Sequence, residues 1–430
     1  MLDRLRAPPP GTDMVIADVR KSLAATRSLS VELVAPLSAE DMTVQSMPDA
    51  SPTKWHLGHT TWFFETFILQ RYSETFQPFD DQFNFCFNSY YESFGPRQLR
   101  SSRGLLSRPS SDRVFAYRAH VDAKLDDLLA NFGDQDPDIA ELVILGINHE
   151  QQHQELLLTD ILSLFAANPL KPIYQHRPDT PHRSVSAPLR FIDFSGGIFD
   201  VGATRDIFSW DNENPRHQAL VHDFQLANRL VTNREWLNFM SDDGYRTPAL
   251  WLSDGWTAVN NEAWVAPLYW EQRQGEWYSM SLNGLHPVDL DAPVCHVSYF
   301  EADAFARWAG KRLPTEFEWE VASAAAAPCG NVVGSKYLRP IACSADADAG
   351  LQQMLGDCWQ WTQSSYLPYP GYRASPGALG EYNGKFMVSQ QVLRGASCVT
   401  PDGHSRTTYR NFFYPHQRWQ FTGLRLAGDL

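Results

Sequence analysis

Residues 147–158 read INHEQQHQELLL, and the placing of His149 and His153 four apart in that stretch decides how the first half of the chain folds. At about 100° per residue the spacing puts both imidazoles on one helical face, one turn apart, which is the geometry of two ligands to one metal. Leu142, Gly146, His149, His153 and Leu156 or Leu157 form a single stripe, so the histidines point toward the core of a bundle. A lone inward histidine is ordinarily a hydrogen-bonded core residue; a pair at this spacing favours a metal. A third ligand has to come from another helix, and residues 55–65, WHLGHTTWFFE, offer His56 and His59, either of which could serve. Three neutral imidazoles with the remaining positions open suit a catalytic divalent metal, Zn or Fe(II), rather than Ca or Mg, which prefer oxygen. The string HEQQH also matches the zinc-protease pattern, with Glu150 as general base, but the glycine and third histidine of the extended pattern are missing.

Working outward, the hydrophobic pattern predicts four helices, Met14–Leu33, Ser51–Arg71, Ser110–Phe132 and Pro137–Ala166, and hence a four-helix bundle. Ser51-Pro52 reads as an N-cap followed by proline at the first helical position, and Ser110-Ser111-Asp112 opens the third helix. Between the second and third helices, residues 72–109 form a loop too long to be incidental and too rich in aromatics and arginine to be disordered. A Pro-rich polar stretch marks a linker over 171–188, dividing a metal-binding bundle over 1–170 from a second domain over 189–430. That second domain carries short β-like runs and most of the 14 Trp; Ser298–Gly310 is the one convincing helix in it. The fold class is therefore α+β.

A formal charge of −14, without a Lys/Arg run, excludes electrostatic binding to nucleic acid or an anionic membrane and leaves small molecules as partners. Residues 1–25 lack a signal-like apolar region and no run of 18 apolar residues occurs, so a cytosolic protein is expected. Six scattered Cys without a C-x-x-C pair read as reduced thiols.

The string HxxxHxE formed by His149, His153 and Glu155 resembles that of ergothioneine-biosynthesis sulfoxide synthases, within a first half similar to the DinB-like four-helix family. GGIFDVGA, PVCHVSYFEADAFARWAGKRLPTEFEWE, GDCWQWT and VLRGAS give the second half a resemblance to the formylglycine-generating-enzyme fold, related to C-type lectins. Formylglycine formation in that family needs a close cysteine pair after the VLRGAS-like strand, and only Cys398 stands there. The rivals are a zinc-dependent DinB-like thiol transferase or hydrolase and a non-catalytic lectin-like module. The second leaves the inward histidines unexplained, and the first leaves the fused domain without a role.

The resemblance implies that Fe(II) is bound by His59, His149 and His153, with His56 a structural helix residue. It implies that Tyr90 or Tyr91 supplies a proton and an electron to O2 chemistry, and that the substrates are N-α-trimethylhistidine, cysteine or γ-glutamylcysteine, and O2. For the trimethylammonium betaine, Gln152, Asn411, Phe412, Phe413, Tyr414 and nearby Trp419 are the candidates, aromatic faces taking the cation. Arg97, Arg100, Arg103 and Arg418 are candidates for the carboxylate of the thiol. Phe412-Phe413 stands where the γ-glutamylcysteine-using branch has an aromatic followed by a carboxylate, and with the doubled Tyr90-Tyr91 it resembles the branch that takes free cysteine.

Overall fold

The computed structural model describes residues 16–132, 137–176, 186–204, 207–324, 330–343, 350–374, 380 and 383–430. Met14, Cys329 and residues 177–185 of the predicted linker lie outside them. The described residues within Met1–Leu164, Ala203–Asp211 and Arg373–Asn383 form one compact unit, and those within Phe165–Gly202, Asn212–Tyr372 and Gly384–Leu430 a second.

The first unit is built on four long helices: α1 (Ile16–Val34), α2 (Thr53–Phe64), α3 (Ser111–Phe132) and α4 (Pro137–Ala167). Ser51 does not cap α2 as expected. Pro52, whose ring has no acceptor, takes the cap position, and the Ser51 hydroxyl accepts from Arg103 Nη1 at 2.9 Å instead. All twelve residues of α2 are buried, so this helix has no solvent face. It runs on into a π-helical turn, Glu65–Leu69. There the Glu65 carboxylate accepts from the Tyr117 hydroxyl of α3 at 2.5 Å and from the Phe79 N–H at 3.0 Å.

Two glycines let the elements around α2 close up. A Cβ at Gly146 of α4 would meet the Phe64 ring at 2.5 Å, and one at Gly58 would meet the Phe87 ring at 2.3 Å. The close approach brings imidazoles from α2 and α4 within reach of one metal ion. The stretch 72–109 is folded onto α2: it contains a short helix, Phe83–Phe87, and 3-10 turns at Glu92–Phe94 and Arg100–Leu105. Trp55 Nε1 donates to the Cys86 carbonyl at 2.9 Å, and Trp62 Nε1 to Asn84 Oδ1 at 3.0 Å.

The second unit has strands β1 (Phe191–Phe194), β2 (Gly197–Val201), β3 (His217–Val221), β4 (Phe224–Ala227), β5 (Trp270–Arg273), β6 (Glu276–Ser281), β7 (Gly284–Pro287) and β12 (Ala427–Asp429) in sheets of order β1-β4-β12, β2-β3 and β5-β6-β7, and a fourth sheet of order β10-β9-β8-β11. The last joins Asn411–Phe413 (β10), Gln391–Arg394 (β9), Trp359–Ser365 (β8) and Thr422–Gly423 (β11). A core of Phe224, Leu226, Trp319, Met354 and Ala427, with neighbours, fills one layer.

Where the Ser298–Gly310 helix and one starting around Trp319 were expected, the described residues of this unit form four: α5 (Asn233–Ser241), α6 (Ser253–Asn261), α7 (Tyr299–Trp308) and α8 (Glu316–Ser323). They are only 8 to 10 residues long, too short for periodicity to announce them. Three open with a capping box, Thr232/Glu235, Ser298/Glu301 and Thr315/Glu318, and that spacing was the legible signal. Each box glutamate also takes a guanidinium: Arg229 on Glu235 and Arg418 on Glu301, each at 2.8 Å, and Arg312 on Glu318 at 2.7 Å.

Candidate metal centre

His59 from α2 and His149 and His153 from α4 each offer one ring nitrogen, and these three atoms lie within 4.8 Å of one another. The ring centroids are 4.7 to 5.0 Å apart. His59 Nδ1 lies 2.6 Å from the Phe87 carbonyl, which can only accept, so this nitrogen carries the proton and Nε2 carries a lone pair. That Nε2 has no hydrogen-bond partner among the described residues, and neither nitrogen of His149 has one there. His153 Nδ1 is 2.9 Å from His56 Nδ1, leaving its Nε2 for the centre.

Burial, and after it the charge a protonated His149 would carry, hold His59 and His153 well below the ordinary histidine value. Burial holds His149 at about 4. All three are neutral at pH 7, the state in which imidazole binds a metal. A donor set of three neutral, converging imidazoles, two buried and the third, His153, half-buried, with orphaned lone pairs on the buried two, fits a divalent transition metal. Glu150, the would-be protease base, is committed elsewhere: its carboxylate accepts from Arg27 at 2.9 Å, from Ser30 at 2.5 Å and from Arg118.

Beside the imidazoles runs a stack. The His59 ring lies on Trp55 with centroids 4.7 Å apart and planes 12° from parallel, and the Arg103 guanidinium sits 3.3 Å from the other ring system's centre. Arg103 is 4% exposed and donates to the hydroxyls of Ser51 and Ser89. No carboxylate lies within ion-pair distance of it among the described residues, and burial, then the neighbouring Arg100, pull it well below the ordinary arginine range. Of the three arginines predicted in this segment, it alone is a buried cation that lacks an anion. Arg97 pairs with Glu92 at 2.6 Å, and Arg100 is exposed and donates to the Asp49 carbonyl.

Tyr90 and Tyr91 pack with ring centroids 4.9 Å apart. Tyr91, 2% exposed, touches Trp62 and Phe67, and Trp62 in turn stacks beside His59 at 5.8 Å. Tyr90 is within electrostatic reach of Arg103. Gln152 lies half-buried on α4, one residue from His153.

The remaining predicted residues fall in the second unit. Asn411, Phe412 and Phe413 are the whole of β10, paired with Leu393, Val392 and Gln391. Phe412 stacks on Tyr366 at 4.1 Å, Phe413 meets Trp419 edge-on at 5.7 Å, and Tyr414 is exposed beside His416. Arg418 donates to Glu301 and to the Ala266 carbonyl and lies over Trp264, so its guanidinium serves the α7 capping box. Cys398 is buried, and the five described cysteines are free thiols. Sequence reasoning missed the Arg103–Trp55–His59 stack and the partners of His56; only the adjacency of Trp55 to His56 hinted at either.

Residues 22–157 match the DinB superfamily and residues 178–430 the sulfatase-modifying factor enzyme 1-like domain. The hercynine oxygenase of Mycolicibacterium smegmatis is 33% identical over 95% of this chain and 98% of its own length. That of Mycobacterium tuberculosis is 34% identical over the same shares. The formylglycine-generating enzyme of Thermomonospora curvata is 27% identical and matches only 58% of the chain. Both domains and their order are therefore shared with the oxygenases. No described helix is long and apolar enough to cross a membrane.

Proposed function

The chain belongs to the hercynine oxygenase family and is an oxidoreductase, and from that premise we propose that it joins cysteine to N-α-trimethylhistidine (hercynine) with O2, using Fe(II) held by His59, His149 and His153. The product is hercynylcysteine sulfoxide, an intermediate of ergothioneine biosynthesis. The imidazole C–H and the thiol S–H are lost, a C–S bond forms, one oxygen atom of O2 ends on sulfur and the other leaves as water. The observation that carries the reading is the trio of neutral, converging imidazoles, two buried and one half-buried, with Nε2 atoms on His59 and His149 that lack a partner among the described residues.

Iron is favoured over zinc because an oxygenase needs a redox-active metal and Zn²⁺ has no redox chemistry. When bound, Fe(II) supplies the electron transfer between the thiol, the imidazole and O2. The protein's own groups do the rest. Arg103, buried without a carboxylate partner, is the natural seat for the thiol's carboxylate, with Arg97 and Arg100 at the rim. Arg418, tied to Glu301, is the weakest of the four candidates. Tyr90 or Tyr91 moves the proton, and the Trp55, Trp62 and Phe63 rings around His59 and His149 exclude water. Gln152 on α4 is a candidate for the betaine, and Asn411, Phe412, Phe413 and Tyr414 of the second unit remain candidates on the family resemblance alone.

Anaerobically purified protein given Fe(II), N-α-trimethylhistidine, cysteine and O2 should form the sulfoxide, detected by mass spectrometry. Bound zinc with O2-independent turnover would overturn the iron reading. With γ-glutamylcysteine in place of cysteine, kcat/KM should fall by about one or two powers of ten, since Phe412 and Phe413 offer the added peptide group no hydrogen bond.

A further inference from the structure

We infer that His56 and Asp160 form a relay that fixes the tautomer and the ring orientation of His153. His56, 3% exposed on α2, lies with Nδ1 2.9 Å from His153 Nδ1 and Nε2 3.0 Å from Asp160 Oδ2. The same Asp160 oxygen accepts the Ser51 N–H at 2.8 Å, at the start of α2, while Asp160 itself stands on α4. The relay therefore pins both helices that carry the ligands.

The hydrogen-bond chemistry runs one way. An ionised carboxylate only accepts, so His56 must carry its proton on Nε2 and present a lone pair at Nδ1. Facing that lone pair, His153 must carry its proton on Nδ1, and its own lone pair falls on Nε2, toward the centre. The reverse tautomer would set two lone pairs or two protons against each other across one of the two contacts. For His59 the Phe87 carbonyl does the same service at 2.6 Å, without a charge behind it. Two of the three ligands are thus oriented from behind, one by a backbone carbonyl and one by an imidazole with a carboxylate at its back, and such supports tune metal affinity.

This inference rests on the reading of the three imidazoles as a metal site, and the test separates the two. Fe(II) affinity of the full chain is measured anaerobically by chelator competition, and the nitrosyl complex is compared by electron paramagnetic resonance. His56→Phe fills the space but cannot accept from His153; it should weaken Fe(II) binding by about 10- to 100-fold and alter the nitrosyl spectrum. His56→Asn, whose amide oxygen can take the place of Nδ1, should recover most of that loss, and Asp160→Asn, which keeps an acceptor, should lose less than Asp160→Leu. The losses of His56→Phe and Asp160→Leu should be clearly less than additive in the double variant, because the carboxylate reaches the ligand through the imidazole as well as holding the Ser51 N–H. Additive losses, or wild-type affinity and spectrum in His56→Phe, would overturn the relay and leave the metal site standing. Absence of Fe(II) binding by the wild-type chain would remove both. Should His56→Phe fail to fold, the Asp160→Asn and Asp160→Leu pair decides: equal affinities, both as wild type, would overturn the relay.

Discussion

His149 and Glu150 are neighbours on α4, equally buried at 3% and 1% exposed, and opposite in every other respect. The Glu150 carboxylate is saturated by Arg27, Arg118 and Ser30, drawn from α1 and α3. Burial alone would push it up, but the Arg118 and Arg27 guanidiniums hold it at about 2. Neither His149 nitrogen has a partner among the described residues. An unpartnered buried polar group costs about 1–3 kcal/mol, so a chain that satisfies one residue fully and the next not at all points to a partner from outside the polypeptide. Saturation marks structure, and convergent want marks a site.

The largest test of that contrast is removal of a ligand. His153→Ala or His59→Ala leaves two imidazoles, too few to hold the metal, and both metal content and turnover should collapse by more than about a thousandfold while the unfolding midpoint changes little. Full metal occupancy by elemental analysis in either variant would break the assignment. Next come the phenols. Tyr90→Phe and Tyr91→Phe keep the aromatic packing around Trp62 and Phe67, so a packing role predicts near-normal rates, whereas proton transfer by one of them predicts a loss of about 10²- to 10⁴-fold in sulfoxide formation under single-turnover conditions.

On the structural side, Glu150→Gln should do the converse. It strips the charge that Arg118 faces, and breaking a buried pair from one side costs about 3–5 kcal/mol. Urea denaturation should show that loss, and the folded fraction should bind Fe(II) as tightly as wild type; a specific loss of metal affinity would merge the two roles. The smallest effect is expected from the corresponding cluster of the second unit. Burial pushes Glu316 up, yet Arg410 and Arg394 hold its carboxyl below its ordinary value of 4.5. A depressed carboxyl stabilises the fold above its ordinary value, and that contribution drains away as pH falls below 4.5 toward the depressed one. Glu316→Gln should therefore flatten the acid limb of the stability–pH curve relative to wild type, and parallel curves would show that the cluster adds nothing.

The contrast also marks where sequence reading reached its limit. The α4 pair was legible because four-residue spacing is a local property of a helix. The choice between His56 and His59 was not: α2 is buried on every side, so no apolar stripe tells which imidazole faces the centre. Only the Phe87 carbonyl and Asp160, brought from elsewhere in the chain, assign the two their roles. Arg103 and Arg418 read alike as candidates for the thiol's carboxylate, and their difference lies in tertiary partners: a glutamate for Arg418 and, among the described residues, no carboxylate for Arg103. The helical character of the first half followed from its long periodic helices. The short helices of the second unit bear only a weaker mark, a capping box in three of the four.

The π-helical turn at Glu65–Leu69 has a consequence for how this segment can change over evolutionary time. A π turn holds one residue more than the α pitch requires, so the residues before and after it are out of phase by about 100°. Removing one residue there would restore a regular helix at little local cost, yet it would rotate Phe67 away from Tyr91, or else swing His59 off its axis toward His149. Length is therefore not a neutral variable here. Conservative substitutions at these five positions are tolerable changes of shape, whereas a single-codon deletion rewrites the registry of the ligand-bearing helix.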